Sequence, residues 1–180
     1  KLNIKHSFPK KKIEKTNKFL KENKFKKNLH LSFGSIYNLN KRYELIISLE
    51  KKKIYNFPVI ISPRSYVSKF SKILEGTVVM HNSIINYGVS ISKHVVINTG
   101  SIIEHDVSIG KNSHISTGVI VNGGVKIGKN CFIGSGSIIR ENINIPDNSF
   151  IKMGVCTAFF VTLYFLFILY CYSSCHYSYY

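Results

Sequence analysis

Arginine is the scarce cation in this chain. Of 25 lysines and arginines only three are arginine (Arg42, Arg64 and Arg140), whereas base reading in DNA and bidentate phosphate recognition lean on the guanidinium fork. A nucleic-acid reader is therefore disfavoured, although 25 bases face 9 acids for a formal net charge of +16. The excess is also uneven. Residues 1–57 hold 16 bases and 4 acids, a net +12, which leaves +4 for the other 123 residues. With Asn and Ile abundant, the lysine bias reads as the codon usage of an AT-rich genome rather than as a selected basic surface. Cysteine is sparse too: of Cys131, Cys156, Cys171 and Cys175, only Cys131 lies in the body of the chain. No disulfide framework is legible, and a reducing, cytoplasmic compartment is the expectation. The chain opens at Lys1 without an initiator methionine or a charged-then-apolar signal segment, so the true start is expected to lie elsewhere. At 180 residues, one core is expected.

What is present is a period. Stepping by six from Ile61 gives Val67, Ile73, Val79, Ile85, Ile91, Ile97, Ile103, Ile109, Ile115, Val121, Ile127, Ile133, Ile139, Ile145 and Ile151, and all 16 anchors are Ile or Val. Four residues after most anchors stands a small or modest side chain, as at Thr77, Ser83, Val89, Ser101, Cys131 and Ser137. Six fits neither the 3.6 of a helix nor simple alternation; it is the signature of a parallel β-helix of short strands and sharp turns. The predicted fold class is an all-β solenoid of a little over five triangular coils, with coils spaced by ~4.8 Å and glycines at corners that need positive φ or close backbone approach. The phase runs without a slip to Ile151 and meets Thr157 where the next anchor belongs, so no long loop interrupts the coils.

The predicted domains are a basic segment over 1–57, a solenoid over 58–154 and an aberrant tail over 155–180. The first reads as a polar helical pattern around Lys12 to Lys24, an apolar run from Leu29 to Ile36, and a second helical pattern from Leu39 to Lys53, closed by Pro58. A complete nucleotide-binding unit opens with a strand and a glycine-rich turn, and only Phe33-Gly34-Ser35 answers to that. The segment is small and incomplete as an α/β unit, and a basic helical lid without ligand is the competing reading. The tail from Val155 to Tyr172 runs 18 residues without a charge, long enough for a membrane helix. A frameshifted end is the leading reading, since Phe, Tyr, Leu and Ile are what an AT-rich gene yields out of frame. The others are a membrane anchor, with Lys152 favouring a cytoplasmic solenoid, and a buried cap.

Chemistry on a β-helix belongs at its corners, where side chains project without disturbing the core. The richest stretch is Ile97 to Asp106, with Asn98 and Glu104 each directly after an anchor, then His105 and Asp106, and a second imidazole, His114, nine residues after His105. An imidazole flanked by two carboxylates is a competent general base: nearby negative charge raises its proton affinity and a hydrogen bond fixes its tautomer. His81 and His94 are expected to be solvated corner residues.

The segments Val96-Ile97-Asn98-Thr99-Gly100, Glu104-His105-Asp106 and Gly123-Gly124-Val125-Lys126-Ile127-Gly128, set in an unbroken hexapeptide array, resemble the hexapeptide-repeat acetyltransferases of the sialic acid O-acetyltransferase and UDP-4-amino-sugar N-acetyltransferase family. The resemblance spans roughly residues 58–154. It implies a left-handed parallel β-helix, a homotrimer with active sites between subunits, and acetyl transfer from acetyl-CoA to an amino or hydroxyl group of a sugar or sugar nucleotide. It further implies His105 as general base, Asp106 and Glu104 as its acidic neighbours, Asn98 in the substrate pocket, and His114, Gly123 and Ser135 toward acetyl-CoA. It implies residues 1–57 as a remnant of a sugar-nucleotide-binding domain. A thioester is already activated, so no metal is expected. Two alternatives stay open: a γ-carbonic-anhydrase-like metalloenzyme using His81, His105 and His114, and an inactive β-helix scaffold. Cys171, Cys175 and His176 offer a weaker zinc half-site.

Overall fold

A computed structural model describes residues 27–31 and 39–157. The expected helical pattern at Lys12 to Lys24, most of the apolar tail, and Cys171, Cys175 and His176 lie outside the described residues.

From Ile60 to Ile151 the chain winds as a left-handed parallel β-helix of sixteen two-residue strands, β3 (Ile60–Ile61) to β18 (Phe150–Ile151). Each strand ends on one of the anchors. Strands three apart pair in parallel, giving two sheets of five strands and one of six. One ladder runs from β4 (Tyr66–Val67) through β7 (Ile84–Ile85), β10 (Ile102–Ile103) and β13 (Ile120–Val121) to β16 (Ile138–Ile139), so Ile85, Ile103, Val121 and Ile139 stack in register. An alternating strand points its second residue inward, and here those columns close on the axis: Ile85, Ile91, Ile97, Ile103, Ile115, Val121, Ile133 and Ile139 are fully buried. The terminal coils are open, with Ile61 45% exposed.

The second inward position carries buried hydroxyls, and each is answered. Thr77, Ser83, Ser101, Ser113 and Ser137 donate to the carbonyls of Ser92, Asn98, Ser116, Gly128 and Lys152 at 2.8–2.9 Å. Every one of these bonds reaches 15 residues onward, into the next coil. Cys131 follows the same rule, its thiol donating to Pro146 O at 3.0 Å, and burial raises its pKa.

Three edges separate the sheets. The turn residues are Pro63-Arg64, His81-Asn82, Thr99-Gly100, Thr117-Gly118, Ser135-Gly136 and Met153-Gly154 at edge 1; Lys69-Phe70, Tyr87-Gly88, His105-Asp106, Gly123-Gly124 and Glu141-Asn142 at edge 2; and Glu75-Gly76, Lys93-His94, Lys111-Asn112, Lys129-Asn130 and Asp147-Asn148 at edge 3. From the turn at Glu75-Gly76 onward the second residue takes positive φ, and glycine shares the task with Asn82, His94, Asp106, Asn112, Asn130, Asn142 and Asn148. Asn, Asp and His tolerate that region better than other side chains, so the glycines foreseen at corners are half of the corner set.

The stretch before the solenoid forms a parallel pair, β1 (Lys27–Asn28) with β2 (Tyr55–Asn56), joined through helix α1 (Leu39–Glu50), three residues shorter than the pattern from Leu39 to Lys53. Leu31, Ile46, Leu49, Tyr55 and Phe57 make a small separate core. The unit docks on edge 3. Arg42, 2% exposed, donates from Nη1 to His94 O at 2.9 Å and to Asn112 Oδ1. Asn112 donates to Asn130 at 2.8 Å, and Asn130 to Asn148 at 2.8 Å and to Asn40 at 2.6 Å. Glu50 takes both Lys111, at 2.8 Å, and His94 Nε2, at 3.0 Å. His94 is thus not the solvated corner residue expected: it is 1% exposed, set edge-on against Phe57 with centroids 4.8 Å apart, because α1 and β2 cover the edge that carries it. Past β18 the final pairing is a bridge between Ile138 and Cys156. Among the described residues no helix is long and apolar enough to cross a membrane.

Candidate functional site

Edge 2 keeps its turns uncovered, and His105 and Asp106 are each 64% exposed there. Asp106 Oδ2 lies 3.0 Å from His105 Nδ1. An ionised carboxylate only accepts, so Nδ1 carries the proton and Nε2 keeps its lone pair. Two glycines make room for this pair. A Cβ on Gly88, one coil earlier, would stand 2.5 Å from Asp106 Oδ1, and one on Gly123, one coil later, would stand 2.6 Å from both Cε1 and Nε2 of His105. The imidazole therefore leans toward the next coil, with Nε2 in a groove of about 570 Å³ lined by Glu104, His105, Gly123, Asn122, Glu141 and Asn142.

Glu104 faces the same groove, but its Oε2 accepts from Asn86 Nδ2 at 2.8 Å. The expected imidazole between two carboxylates is replaced by one directly bonded acid, Asp106, and one acid held by the preceding coil. Asn122 donates to Ile139 O at 2.8 Å. Glu141 sits below the usual carboxylate range, because its own backbone N–H and then the Arg140 side chain favour the charged form.

The remaining expected site residues lie elsewhere within the chain. Six residues turn the path by one edge, so Asn98 stands at edge 1, where its Oδ1 accepts from Thr99 N at 2.8 Å. Ser135 is at edge 1 as well, its hydroxyl 2.8 Å from that of Ser116. His114 points outward from the face between edges 3 and 1, in strand β12 (His114–Ile115), in register with Val96 and Phe132. It is 9% exposed, both ring nitrogens lack hydrogen-bond partners, and its ring lies 5.3 Å from that of Phe132. Burial, reinforced by the Arg42 charge, lowers its pKa to about 4, so it is a neutral imidazole at pH 7. His81 is exposed at edge 1, with Nδ1 2.5 Å from Ser62 Oγ. His81, His105 and His114 thus occupy an edge, another edge and a face, and among the described residues no three metal-binding side chains gather.

Sequence reasoning missed Asn86, Asn122, Glu141 and Asn142 as neighbours of His105. The available signal was the 18-residue step: 87, 105, 123 and 141 share one edge column, as do 86, 104 and 122.

The family described as "Hexapeptide repeat of succinyl-transferase" matches residues 124–156. No curated protein matches the chain. Among solved structures, the acetyltransferase domain of PglB from Neisseria gonorrhoeae is 26% identical over 67% of this chain and 59% of its own, with a TM-score of 0.62. A mutant perosamine N-acetyltransferase from Caulobacter crescentus, in complex with CoA and GDP-perosamine, is 21% identical over 70% of this chain and 66% of its own, at 0.54. WeeI from Acinetobacter baumannii is 21% identical over 79% and 68%, at 0.71. The chain thus spans 59% and 66% of the lengths of the first two, and the last two likenesses carry the fold.

Proposed function

We propose that this chain transfers the acetyl group of acetyl-CoA to an amino or hydroxyl group of a sugar or sugar nucleotide, with His105 as the general base. The observation that carries the reading is the edge-2 constellation: an imidazole tied through Nδ1 to Asp106, with the free Nε2 held in an open groove by the missing side chain of Gly123. As the acceptor attacks the thioester carbonyl, Nε2 takes its proton; collapse of the tetrahedral adduct expels the CoA thiolate, which recovers that proton. Asp106 stabilises the transient imidazolium. Positioning, a proton acceptor and oxyanion donors suffice for an activated acyl donor. The PglB domain and the perosamine enzyme support the reading by their described activities.

The homotrimer belongs to the same proposal. The outward column of the β4–β16 ladder is Tyr66, Ile84, Ile102, Ile120 and Ile138, and three of these are 37–60% exposed. Such a stripe beside edge 2 suits a second copy, whose edge 1 would bring Asn98 and Ser135, and whose neighbouring face would bring His114, toward His105. Residues 1–57 are proposed as the remnant of a sugar-nucleotide-binding domain.

The test is thiol release from acetyl-CoA with amino sugars, with and without the His105→Ala substitution. General-base assistance contributes ~10²–10⁴-fold, so turnover should fall by that factor while sedimentation and melting stay unchanged. Unchanged turnover removes His105 from the mechanism.

A further inference from the structure

Acyl transfer leaves part of edge 2 unexplained. Tyr87 holds the place of His105 one coil earlier, and Phe70 stands one coil before Gly88. Their rings are 60% and 61% exposed, with centroids 5.2 Å apart at 52°, and Lys69 Nζ lies 5.0 Å from the centre of the Phe70 ring. Tyr87 O accepts from Asp106 N at 3.0 Å, so the aromatic coil and the His105 coil are bonded at that point. Neither ring contributes to the solenoid core, and a turn serves a β-helix equally well with small polar residues, as edge 1 shows with Thr99, Thr117 and Ser135. Two large aromatics left in water on the edge that carries the exposed imidazole offer a flat surface to a ligand.

Charge is ordered along this edge. Lys69 stands at one end; Glu104 and Asp106 flank His105 toward the other, with Glu141 beyond them paired to Arg140 at 3.1 Å. At ~4.8 Å per coil, Tyr87 lies about one coil and Lys69 about two coils from the level of His105. The complementary ligand is basic at one end, ring-shaped in the middle and anionic at the other end.

Resting on the acyl-transfer reading of His105, we propose that Tyr87, Phe70 and Lys69 form an acceptor subsite for an amino-sugar glycosyl phosphate. The pyranose ring lies on Tyr87 with its apolar C–H face, Phe70 braces that ring from behind, the phosphate pairs with Lys69, and the amine reaches the acidic end of the groove at His105. A sugar 1-phosphate and a sugar nucleotide share this chemistry.

The test measures binding and turnover separately, on the full chain. Calorimetric titration with an amino-sugar 1-phosphate, the matching sugar nucleotide and the unphosphorylated amino sugar should show both phosphorylated ligands bound more tightly; equal affinity of the two means the subsite reads the glycosyl phosphate, and a tighter nucleotide means the base adds contacts beyond it. Tyr87→Ala should weaken the phosphorylated ligands about tenfold, as expected for loss of an aromatic contact, while Tyr87→Phe should retain their affinity. Lys69→Gln should weaken them about 2- to 5-fold at low salt and leave the unphosphorylated sugar unchanged. Both sites are exposed, so melting temperatures should not move. If wild-type affinity persists in Tyr87→Ala and Lys69→Gln while thiol release continues, the subsite is wrong and the acyl-transfer reading stands. If the variants lose affinity but no acceptor releases thiol from acetyl-CoA in the wild type, the subsite stands and the transfer reading falls. A change of sedimenting mass in Tyr87→Ala without change of affinity would assign the rings to a second copy and overturn the subsite.

Discussion

Edges 2 and 3 share one backbone and differ in what lies over them. Each carries a histidine in a two-residue turn, and each imidazole has a carboxylate oxygen at 3.0 Å, Asp106 for His105 and Glu50 for His94. Yet the His105 side chain is 64% exposed and that of His94 2%. At edge 3 the acid comes from helix α1, which brings Arg42 and seals the ladder of Asn112, Asn130 and Asn148. Burial there lowers the His94 pKa even though Glu50 pulls the other way. At edge 2 the acid is the next residue in the chain, nothing among the described residues covers the turn, and glycines at 88 and 123 clear space around it. The same His–acid pairing is therefore a buried clamp where α1 covers it and an open imidazole where no described residue does.

The largest effect should come from a change that ignores this distinction. Ile103 is fully buried on the axis, and Ile103→Ala should cost ~2–5 kcal/mol, lowering the midpoint of denaturant unfolding and weakening both edges together.

Acid should act through buried imidazoles away from edge 2. His114 and His30 both have pKa values lowered to about 4, burial being the first cause in each. The unfolded chain takes up these protons near pH 6.5 and the folded chain only near 4, so the stabilising contribution is complete above about 6.5, is lost as pH falls toward 4, and is constant below that. For His114 the loss is on the order of 3 kcal/mol. Urea midpoints measured from pH 7 to 4 should fall, and His114→Gln should flatten the slope.

A pair of glycine substitutions sharpens the contrast. Gly76 has φ +74 and a Cβ there would overlap the His94 ring, so Gly76→Ala should cost ~1–3 kcal/mol and expose residues 27–57 to protease. At Gly123 the φ is ordinary and the collision is with His105 alone among its nearest neighbours; Gly123→Ala should leave melting unchanged and reduce acetyl transfer by about tenfold. The smallest effect is expected at Cys131→Ser. A hydroxyl there joins a column that already donates to carbonyls 15 residues on, and melting should place the change within ~1 kcal/mol.

Much of this was legible from the chain. The anchor series gave the solenoid, its ends and its inward columns, because a period of six leaves a trace at every coil. Glu104, His105, Asp106 and Gly123 were found together because the residues lie in one turn or 18 apart. Asn98 and Ser135 went to another edge, since similarity between consecutive hexapeptides says nothing about which edge each occupies. His94 was misjudged for a different reason: its cover comes from Arg42, Glu50 and Phe57, 37 to 52 residues away, and no local pattern announces a docking helix. Asn112, Asn130 and Asn148 did repeat every 18 residues, a ladder that asparagine's tolerance of positive φ explains.

The most direct measurement of the account is mass spectrometry of an amino sugar after incubation with acetyl-CoA and the full chain. Gain of one acetyl group with the wild type, slowed ~10²–10⁴-fold by His105→Ala at unchanged melting temperature, is the expected result. Acetylation at equal rates by both proteins, or none by a folded wild type, would contradict it.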